Sequence, residues 1–209
     1  MVSYKTISTI NREAYNKVSG RDNEVEYFIE EIDDTIIIAI RGTETNATDF
    51  IRDIRLWPWY DKRVGWAHTG FLKGARVIED EIIEEILGRG ANKAIYVSGH
   101  SLGGAIALLL GKILHYERFN VKEIVTFGAP RAVFGPSLGR FKHLKVTQFR
   151  NGSDLVTTLP NALFGYVHVN IVQIGEPFSK DLLSWTKYHG MKYYDELIDP
   201  HVTLMKNLA

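Results

Sequence analysis

The spacing of apolar positions changes several times along the chain. In residues 3–18, apolar side chains recur at helical spacing, which predicts a helix. Two β-rich runs, Val25–Ile32 and Thr35–Ile40, meet at Asp33-Asp34 and predict a hairpin. The later elements predicted in the same way are a helix over 70–87, a strand over Ala94–Ser98, a helix over Leu102–Tyr116, and strands over Glu123–Phe127, Lys145–Arg150 and Val167–Ile174.

The alternation of these strands and helices predicts an α/β fold. Buried strands separated by helices are typical of a mainly parallel central sheet flanked by helices on both faces. Such sheets carry their active sites at the carboxyl ends of strands. A length of 209 residues suits one domain, so residues 1–209 are expected to form a single unit.

Charge and composition exclude several classes of protein. Lys and Arg number 25 and so do Asp and Glu, and no basic stripe of the kind that binds nucleic acid is present. The acidic run at 79–85 has helical spacing and predicts a solvated helix face. No protein partner is indicated by the pattern.

Cysteine content and apolar runs bear on the cell compartment. The chain has no cysteine, which excludes disulfides and a thiolate metal site. The longest apolar run, Ala105–Leu110, is far too short to cross a bilayer, so no transmembrane segment is expected. The first residues lack the apolar core of a secretory signal, and together these features favour a cytoplasmic location.

A G-x-S-x-G motif lies between a predicted strand and a predicted helix. Gly99, Ser101 and Gly103 form it, and the helix over Leu102–Tyr116 follows directly. A serine at such a turn is held in a strained conformation that exposes its hydroxyl, and glycines on both sides relieve crowding. The N–H of Leu102 then faces the position where an oxyanion would form. The pattern predicts that Ser101 is a nucleophile; a plain strand-to-helix turn with a serine cap is the alternative.

A serine nucleophile needs a base, and the base needs an orienting carboxylate. In enzymes with this type of turn, the acid and then the histidine follow the serine along the chain. Asp154 comes just after the strand at Lys145–Arg150, where such an acid belongs, although an Asp in a polar turn is common. Three histidines follow it. His189 lies at the start of a predicted short helix after a loop and is the preferred base, while His168 and His201 stay open as alternatives.

The chain resembles the class 3 lipases, the family of the fungal triacylglycerol lipases. The residues that carry the resemblance are Ile38–Thr43, Trp66–Phe71, Gly99–Gly104, Thr126–Arg131 and the stretch from Arg150 to Pro160 with Tyr166 and His168. The resemblance implies an α/β-hydrolase fold and a triad of Ser101, Asp154 and His189. It also implies that Thr43 supplies a second oxyanion donor beside Leu102.

Three features depart from the family pattern. Asp154 and His189 are closer in sequence than in the larger fungal members, and the family's disulfides are impossible here. The segment 44–53, at the place of the family's lid, is polar, which argues against strong activation at an oil surface.

Aromatic residues and two further histidines lie in or near the stretches that carry the resemblance. The aromatic run Leu56–Tyr60 suits either an acyl-chain groove or lipid surface, or a buried loop anchor. His68 and Phe71 are interpreted as packing residues, and His100 needs no catalytic role.

Together, the motif and the resemblance predict a carboxylic ester hydrolase that acts on lipid or fatty-acyl esters, in the manner of a triacylglycerol lipase or esterase. Its substrate would be a lipid or small ester, which the protein would bind in solution or at a lipid–water interface. The acyl-enzyme mechanism requires neither a cofactor nor a metal. Phospholipase A1 or acyltransferase activity with the same triad, a catalytically silent lipid-binding module, and a structural or interaction protein are the alternatives.

Overall fold

The computed structural model describes residues 2–22, 25–42, 57–175 and 188–206. Its main sheet has seven strands in the order β1-β2-β3-β6-β7-β9-β11. The first three strands pair antiparallel, and the steps from β3 through β6, β7 and β9 to β11 are all parallel. The strands are β1 (Gly20–Asp22), β2 (Val25–Ile32), β3 (Thr35–Ile40), β6 (Ala94–His100), β7 (Val121–Phe127), β9 (Val146–Asn151) and β11 (Ile171–Ile174). The predicted mainly parallel sheet and the hairpin at Asp33-Asp34 are confirmed.

Helices cover both faces of this sheet. They are α1 (Tyr4–Glu13), α2 (Thr69–Val77), α3 (Glu79–Arg89), α4 (Leu102–Tyr116) and α5 (Met191–Lys206). The side chains of β3 alternate between two cores: Ile36, Ile38 and Ile40 pack with α2, α3 and α4, and Ile37 and Ala39 pack with α1 and α5. Each fully buried isoleucine contributes about 1.5–3 kcal/mol relative to an exposed one. Burial on both faces explains why these strands read as continuous apolar runs.

The predicted helix over 70–87 is two helices. The backbone leaves helical geometry at Ile78, with φ −95° and ψ 0°, so α2 ends at Val77 and α3 begins at Glu79. Ile78 is itself fully buried, and apolar spacing continues across the break, so periodicity could not reveal it. The acidic run is also not wholly a solvated face, because Glu79 pairs with Arg63.

A second, smaller sheet lies beside the main one. Its four strands pair antiparallel in the order β10-β8-β5-β4, where β4 is Pro58–Asp61, β5 is Gly65–His68, β8 is Val133–Phe134 and β10 is Tyr166–Val167. The single strand predicted over Val167–Ile174 is therefore wrong. Tyr166–Val167 pairs in this small sheet, whereas Ile171–Ile174 pairs with β9 in the main sheet.

Among the residues that the structure describes, no helix is both long and apolar enough to cross a membrane.

Candidate active site

Ser101 occupies the turn between β6 and α4. Its φ of 56° and ψ of −129° lie in a region that residues with a side chain rarely adopt, at a cost of about 1–3 kcal/mol. The turn is held by a hydrogen bond from the Ser101 backbone N–H to the carbonyl oxygen of Phe127 at 2.9 Å. The serine thus lies at the carboxyl end of a central parallel strand, as expected for this class of sheet.

Two glycines make the turn possible. A Cβ atom on Gly103 would lie 2.6 Å from the carbonyl carbon of Arg41, and one on Gly99 would lie 2.8 Å from the backbone nitrogen of Gly104. Both contacts are with backbone, which cannot move aside as a flexible side chain could. The close packing of the helix start against β3 and β6 therefore requires glycine at these two positions.

The structure brings Ser101, His189 and Asp154 together in one line. His189 Nε2 lies 2.8 Å from Ser101 Oγ, and His189 Nδ1 lies 2.9 Å from Asp154 Oδ2. With a neutral imidazole, the Nδ1–H donates to the carboxylate, which leaves Nε2 to accept the serine proton. This is the arrangement that activates a serine hydroxyl.

Asp154 is fully buried and held by three donors. Its Oδ2 accepts from His189 and also from the hydroxyl of Tyr194 at 2.6 Å, while Oδ1 accepts from the Val156 N–H at 3.0 Å. The Tyr194 oxygen accepts in turn from the backbone N–H of Asn151 at 2.9 Å. Burial, followed by the neighbouring carboxylate, raises the pKa of Tyr194 well above its usual value, so its hydroxyl remains a donor.

The loop after Asp154 is fixed by two basic side chains. Arg131 donates to the carbonyl oxygens of Thr158 and Pro160, the latter at 2.8 Å. His168 Nε2 lies 2.8 Å from the carbonyl oxygen of Thr157. These contacts hold the chain that carries the carboxylate, so the position of Asp154 does not depend on its own turn alone.

The other candidate bases lie elsewhere. Burial lowers the pKa of His168 to about 4, and its Nε2 donates to the carbonyl oxygen of Thr157. This hydrogen bond connects His168 to the loop after Asp154 and not to Ser101. The backbone of His201 lies in α5, twelve residues beyond His189. His68 stacks on Phe71 with ring centroids 4.1 Å apart, as expected for packing residues.

Of the two predicted oxyanion donors, the structure describes one. Leu102 is the first residue of α4, and its N–H makes no hydrogen bond within the described part of the chain. A helix N-terminus with a free N–H favours negative charge. Thr43 and the polar segment 44–53 lie outside the described residues. Gly42 does lie against the turn that carries Ser101, here called the elbow, because a Cβ on Gly42 would be 3.0 Å from that of Ser101.

Sequence reasoning missed the residues that support the triad. Tyr194 and His100 contact triad residues, and the Asn151 carbonyl oxygen accepts from the Asp154 backbone N–H, yet no local pattern marks these three residues. His100 stands next to the serine in the motif but was given no role. Among the residues that the structure describes, no cluster of His, Asp and Glu could hold a metal ion.

Comparison with known proteins gives the chain named relatives. It is 29% identical to a lipase from Rhizomucor miehei over 176 residues, which are 78% of this chain and 46% of that protein. It is 30% identical to the secreted mono- and diacylglycerol lipase A of Penicillium camembertii over 109 residues, 50% of this chain and 35% of that protein. The chain therefore spans less than half the length of these curated relatives.

The relatives overturn the cytoplasmic location predicted from the sequence. The matching proteins from Penicillium cyclopium and P. camembertii are both named secreted lipases, and the cytoplasmic prediction is wrong on this finding. The prediction failed because it took a lack of cysteine as a sign of compartment. A chain of this length buries enough apolar surface to be stable without disulfides wherever it resides.

The fold and the family agree with each other. The structure of the Rhizomucor miehei lipase–propeptide complex matches with a TM-score of 0.65 at 24% identity, over 75% of this chain and 54% of that one. The fold is the α/β-hydrolase fold. The model of the family "Lipase (class 3)" matches residues 37–164, which contain most of β3, the turn that carries Ser101, and Asp154. The chain therefore belongs to the class 3 lipase family.

Proposed function

We propose that this protein is a serine carboxylic ester hydrolase that cleaves lipid or fatty-acyl esters. The observation that carries the proposal is the hydrogen-bonded line from Ser101 Oγ through the His189 imidazole to the buried Asp154 carboxylate, with distances of 2.8 and 2.9 Å. The strained conformation of Ser101 supports it as well, because strain of this kind persists where function requires it.

In the proposed mechanism, His189 acts first as a base and then as an acid. Its Nε2 takes the proton of Ser101 as the serine oxygen attacks the ester carbonyl carbon. Asp154 keeps the Nδ1–H tautomer and stabilises the imidazolium. The tetrahedral intermediate collapses when the imidazolium gives its proton to the leaving alcohol, and an acyl-serine remains. Water then attacks the acyl-serine by the same proton path, which releases the acid and restores the serine.

The oxyanion that develops in both steps needs donors. The Leu102 N–H at the start of α4 is the first, and we propose the N–H of Thr43 as the second. The close approach of the chain at Gly42 to the elbow supports this assignment. Loss of one such donor typically raises the barrier by about 2.7–4 kcal/mol.

Acylglycerols are the substrate class that we propose. The support lies in the names of the relatives, which are lipases and mono- and diacylglycerol lipases. Phospholipase A1 and acyltransferase activities would use the same residues. A catalytically silent lipid-binding module would have no use for an activated serine.

We further propose that contact with a lipid–water interface involves the aromatic hairpin, defined as Trp57, Trp59, Tyr60 and Trp66 on and beside β4 and β5. Trp57 is 81% exposed and Trp59 58%, and Tyr60 and Trp66 are also exposed. These exposures argue against the buried loop anchor and in favour of a surface role. Exposed tryptophan and tyrosine side chains combine an apolar ring with a polar edge, which suits the boundary between lipid and water.

We also propose that residues 1–209 form one domain. The support is that α1 and α5, near the two ends of the chain, pack on the same face of the main sheet, with Ile7 and Ile198 in one core.

The test of the proposed function is hydrolysis of p-nitrophenyl esters from acetate to palmitate by the wild type and Ser101→Ala. We expect the variant to lose at least a thousandfold in kcat, because the nucleophile is absent. Ser3→Ala, at an exposed serine that caps α1, is the matched control and should keep wild-type kcat. Equal rates in the wild type and Ser101→Ala, or no hydrolysis of any ester by the wild type, would contradict the proposal. The chain-length optimum separates an esterase from a lipase.

A further inference from the structure

His100 lies beside the triad without touching Ser101 Oγ or Asp154 in any hydrogen bond. It is the last residue of β6, its side chain is buried, and its ring lies 4.8 Å from that of His189 between centroids. Its Nε2 is 2.6 Å from the backbone carbonyl oxygen of His189, and its Nδ1 is 2.6 Å from the hydroxyl oxygen of Tyr15.

The partners determine which ring nitrogen carries the proton. Burial and then the neighbouring His189 ring lower the pKa of His100 to about 3, so the ring is neutral at the pH of catalysis and has one N–H. A backbone carbonyl can only accept, so Nε2 must be the donor to His189. Nδ1 is then an acceptor, and the Tyr15 hydroxyl donates to it.

The backbone around His189 is held at two consecutive carbonyl groups. Asn151 Nδ2 donates to the carbonyl oxygen of Tyr188 at 3.0 Å, and His100 Nε2 donates to that of His189. Both donors come from ends of parallel strands in the main sheet, β9 and β6. The strand that ends in the elbow therefore also holds the segment that supplies the base.

We propose that His100 is a positioning residue, which fixes the backbone of His189 through its Nε2–H so that the His189 imidazole is aligned with Ser101. The inference rests on the proposed acyl-transfer function. It assigns a role to the one residue between Gly99 and Ser101 of the motif.

Tyr15 holds the Nδ1 side of the His100 ring, opposite the Nε2 that donates to His189. It follows the end of α1, and the guanidinium of Arg41 lies 5.3 Å from the centre of its ring. Arg41 in turn pairs with Glu26 of β2. The Tyr15 hydroxyl holds His100 in the ring orientation that directs Nε2 at His189.

Two substitutions at position 100 separate positioning from packing. The side-chain amide of glutamine can place an N–H donor where Nε2 lies, whereas that of asparagine reaches only to the position of Nδ1. We expect His100→Asn to lower kcat on p-nitrophenyl butyrate by about 10- to 100-fold with little change in KM, because small displacements of a catalytic group cost rate and not binding. His100→Gln should restore most of kcat.

Several outcomes decide between the possible roles. Both variants must keep the wild-type circular dichroism spectrum and a cooperative thermal transition. A His100→Asn variant with wild-type kcat, or a folded His100→Gln variant as slow as His100→Asn, would overturn the positioning role alone. A wild-type protein that hydrolyses no ester would overturn the proposed function, and the positioning role with it.

A second measurement does not depend on activity or on a variant that folds. In ¹⁵N-labelled wild-type protein, long-range proton–nitrogen spectra of the histidine rings report the tautomer directly. We expect the His100 ring, assigned through correlations to its own backbone amide, to carry its proton on Nε2 from pH 5 to pH 9. A proton on Nδ1, or titration near pH 6.5, would contradict the hydrogen-bond assignment and the inference.

Discussion

The triad end of the main sheet and the small antiparallel sheet each bury one histidine, His100 and His68 respectively, and one carboxylate, but these groups have different hydrogen-bond partners. At the triad end, His189 and His100 each have hydrogen-bond partners at both ring nitrogens. In the small sheet, His68 is 2% exposed, and neither of its ring nitrogens has a hydrogen-bond partner in the described part of the chain. The same type of side chain is thus hydrogen-bonded at both ring nitrogens in one region and is a packing element in the other.

The two buried carboxylates differ in the same way. Asp154 accepts hydrogen bonds from an imidazole, a phenol and a backbone N–H, and contacts no arginine through an ion pair among the described residues. Asp61 of β4 pairs with Arg63 and Arg76, the latter at 2.7 Å. A carboxylate neutralised by two arginines stabilises structure, whereas one presented to an imidazole can orient a base. Burial alone therefore does not distinguish a chemical role from a structural one; the partners do.

The largest expected effect tests this difference directly. Asp154→Asn should lower kcat by about 10³- to 10⁴-fold, because an amide N–H facing His189 Nδ1 favours the tautomer that cannot accept the serine proton. The matched variant Asp61→Asn should keep kcat but lower the free energy of unfolding by about 1.5–3 kcal/mol, because the charge-assisted hydrogen bonds from Arg63 and Arg76 are weakened while Arg63 keeps its pairing with Glu79. Ester hydrolysis and urea denaturation of both variants measure the two effects. A comparable fall in kcat in both variants would remove the distinction.

The sequence was sufficient for the elbow but not for its surroundings. The motif at Ser101 lies between a strong strand pattern and a strong helix pattern, and Asp154 and His189 follow in the order that such sites require. Chain order and strand ends pointed to Ser101 and Asp154 but left three histidines open as the base, and the resemblance to the family favoured His189. Tyr15 and Tyr194 contact the site across 85 and 40 residues of sequence, and no periodicity predicts such contacts.

The misassigned elements have a common cause. Apolar residues continue through Ile78 and through the run from Tyr166 to Ile174, so a periodic pattern indicates one element in each. The helix break at Ile78 and the division of the later run between two sheets are set by tertiary packing. Boundaries between elements within continuous apolar patterns are therefore the part of this fold that the sequence pattern does not predict.

An intermediate effect is expected at the surface of the small sheet. The double variant Trp57→Ala, Trp59→Ala should bind phosphatidylcholine vesicles or emulsified acylglycerol about tenfold more weakly, because burial of large apolar side chains in lipid contributes more than the 1.4 kcal/mol that tenfold requires. Its kcat on soluble p-nitrophenyl acetate should stay unchanged. Tyr116→Ala, at an exposed aromatic residue of α4, is the control. Sedimentation with vesicles measures binding, and equal binding by wild type and double variant would exclude the aromatic hairpin from lipid contact.

The smallest effect concerns stability and comes from His68. Burial of an unpaired polar ring is costly, so His68→Leu should raise the free energy of unfolding by about 1 kcal/mol at pH 7. Burial also lowers the pKa of His68 to about 4 from a usual value of 6.5. Below pH 6.5 the unfolded chain therefore binds a proton at His68 that the folded chain does not, and wild-type stability falls as pH decreases through 6.5 towards 4.

Leucine binds no proton in either state. The free energy of unfolding of His68→Leu should therefore exceed that of the wild type by a margin that grows as pH falls from 7 to 4 and levels off below about 4. Burial also lowers the pKa of His100 to about 3 and that of His168 to about 4. The free energy of unfolding of both proteins therefore still declines with falling pH because of these two residues. Asp61 acts in a lower window. Burial raises the pKa of Asp61, but the hydrogen bonds from Arg63 and Arg76 outweigh burial and lower this pKa to about 2. The contribution of Asp61 to stability is therefore lost only as pH falls from about 4 through 2.

Urea denaturation of the wild type and His68→Leu at one-unit pH steps from 7 to 4 measures the contribution of His68. A constant difference between His68→Leu and wild type across that range would mean that the folded protein protonates His68 as readily as the unfolded chain does. His68 would then have a partner as His189 and His100 have, and the contrast between the two regions would fail at this residue.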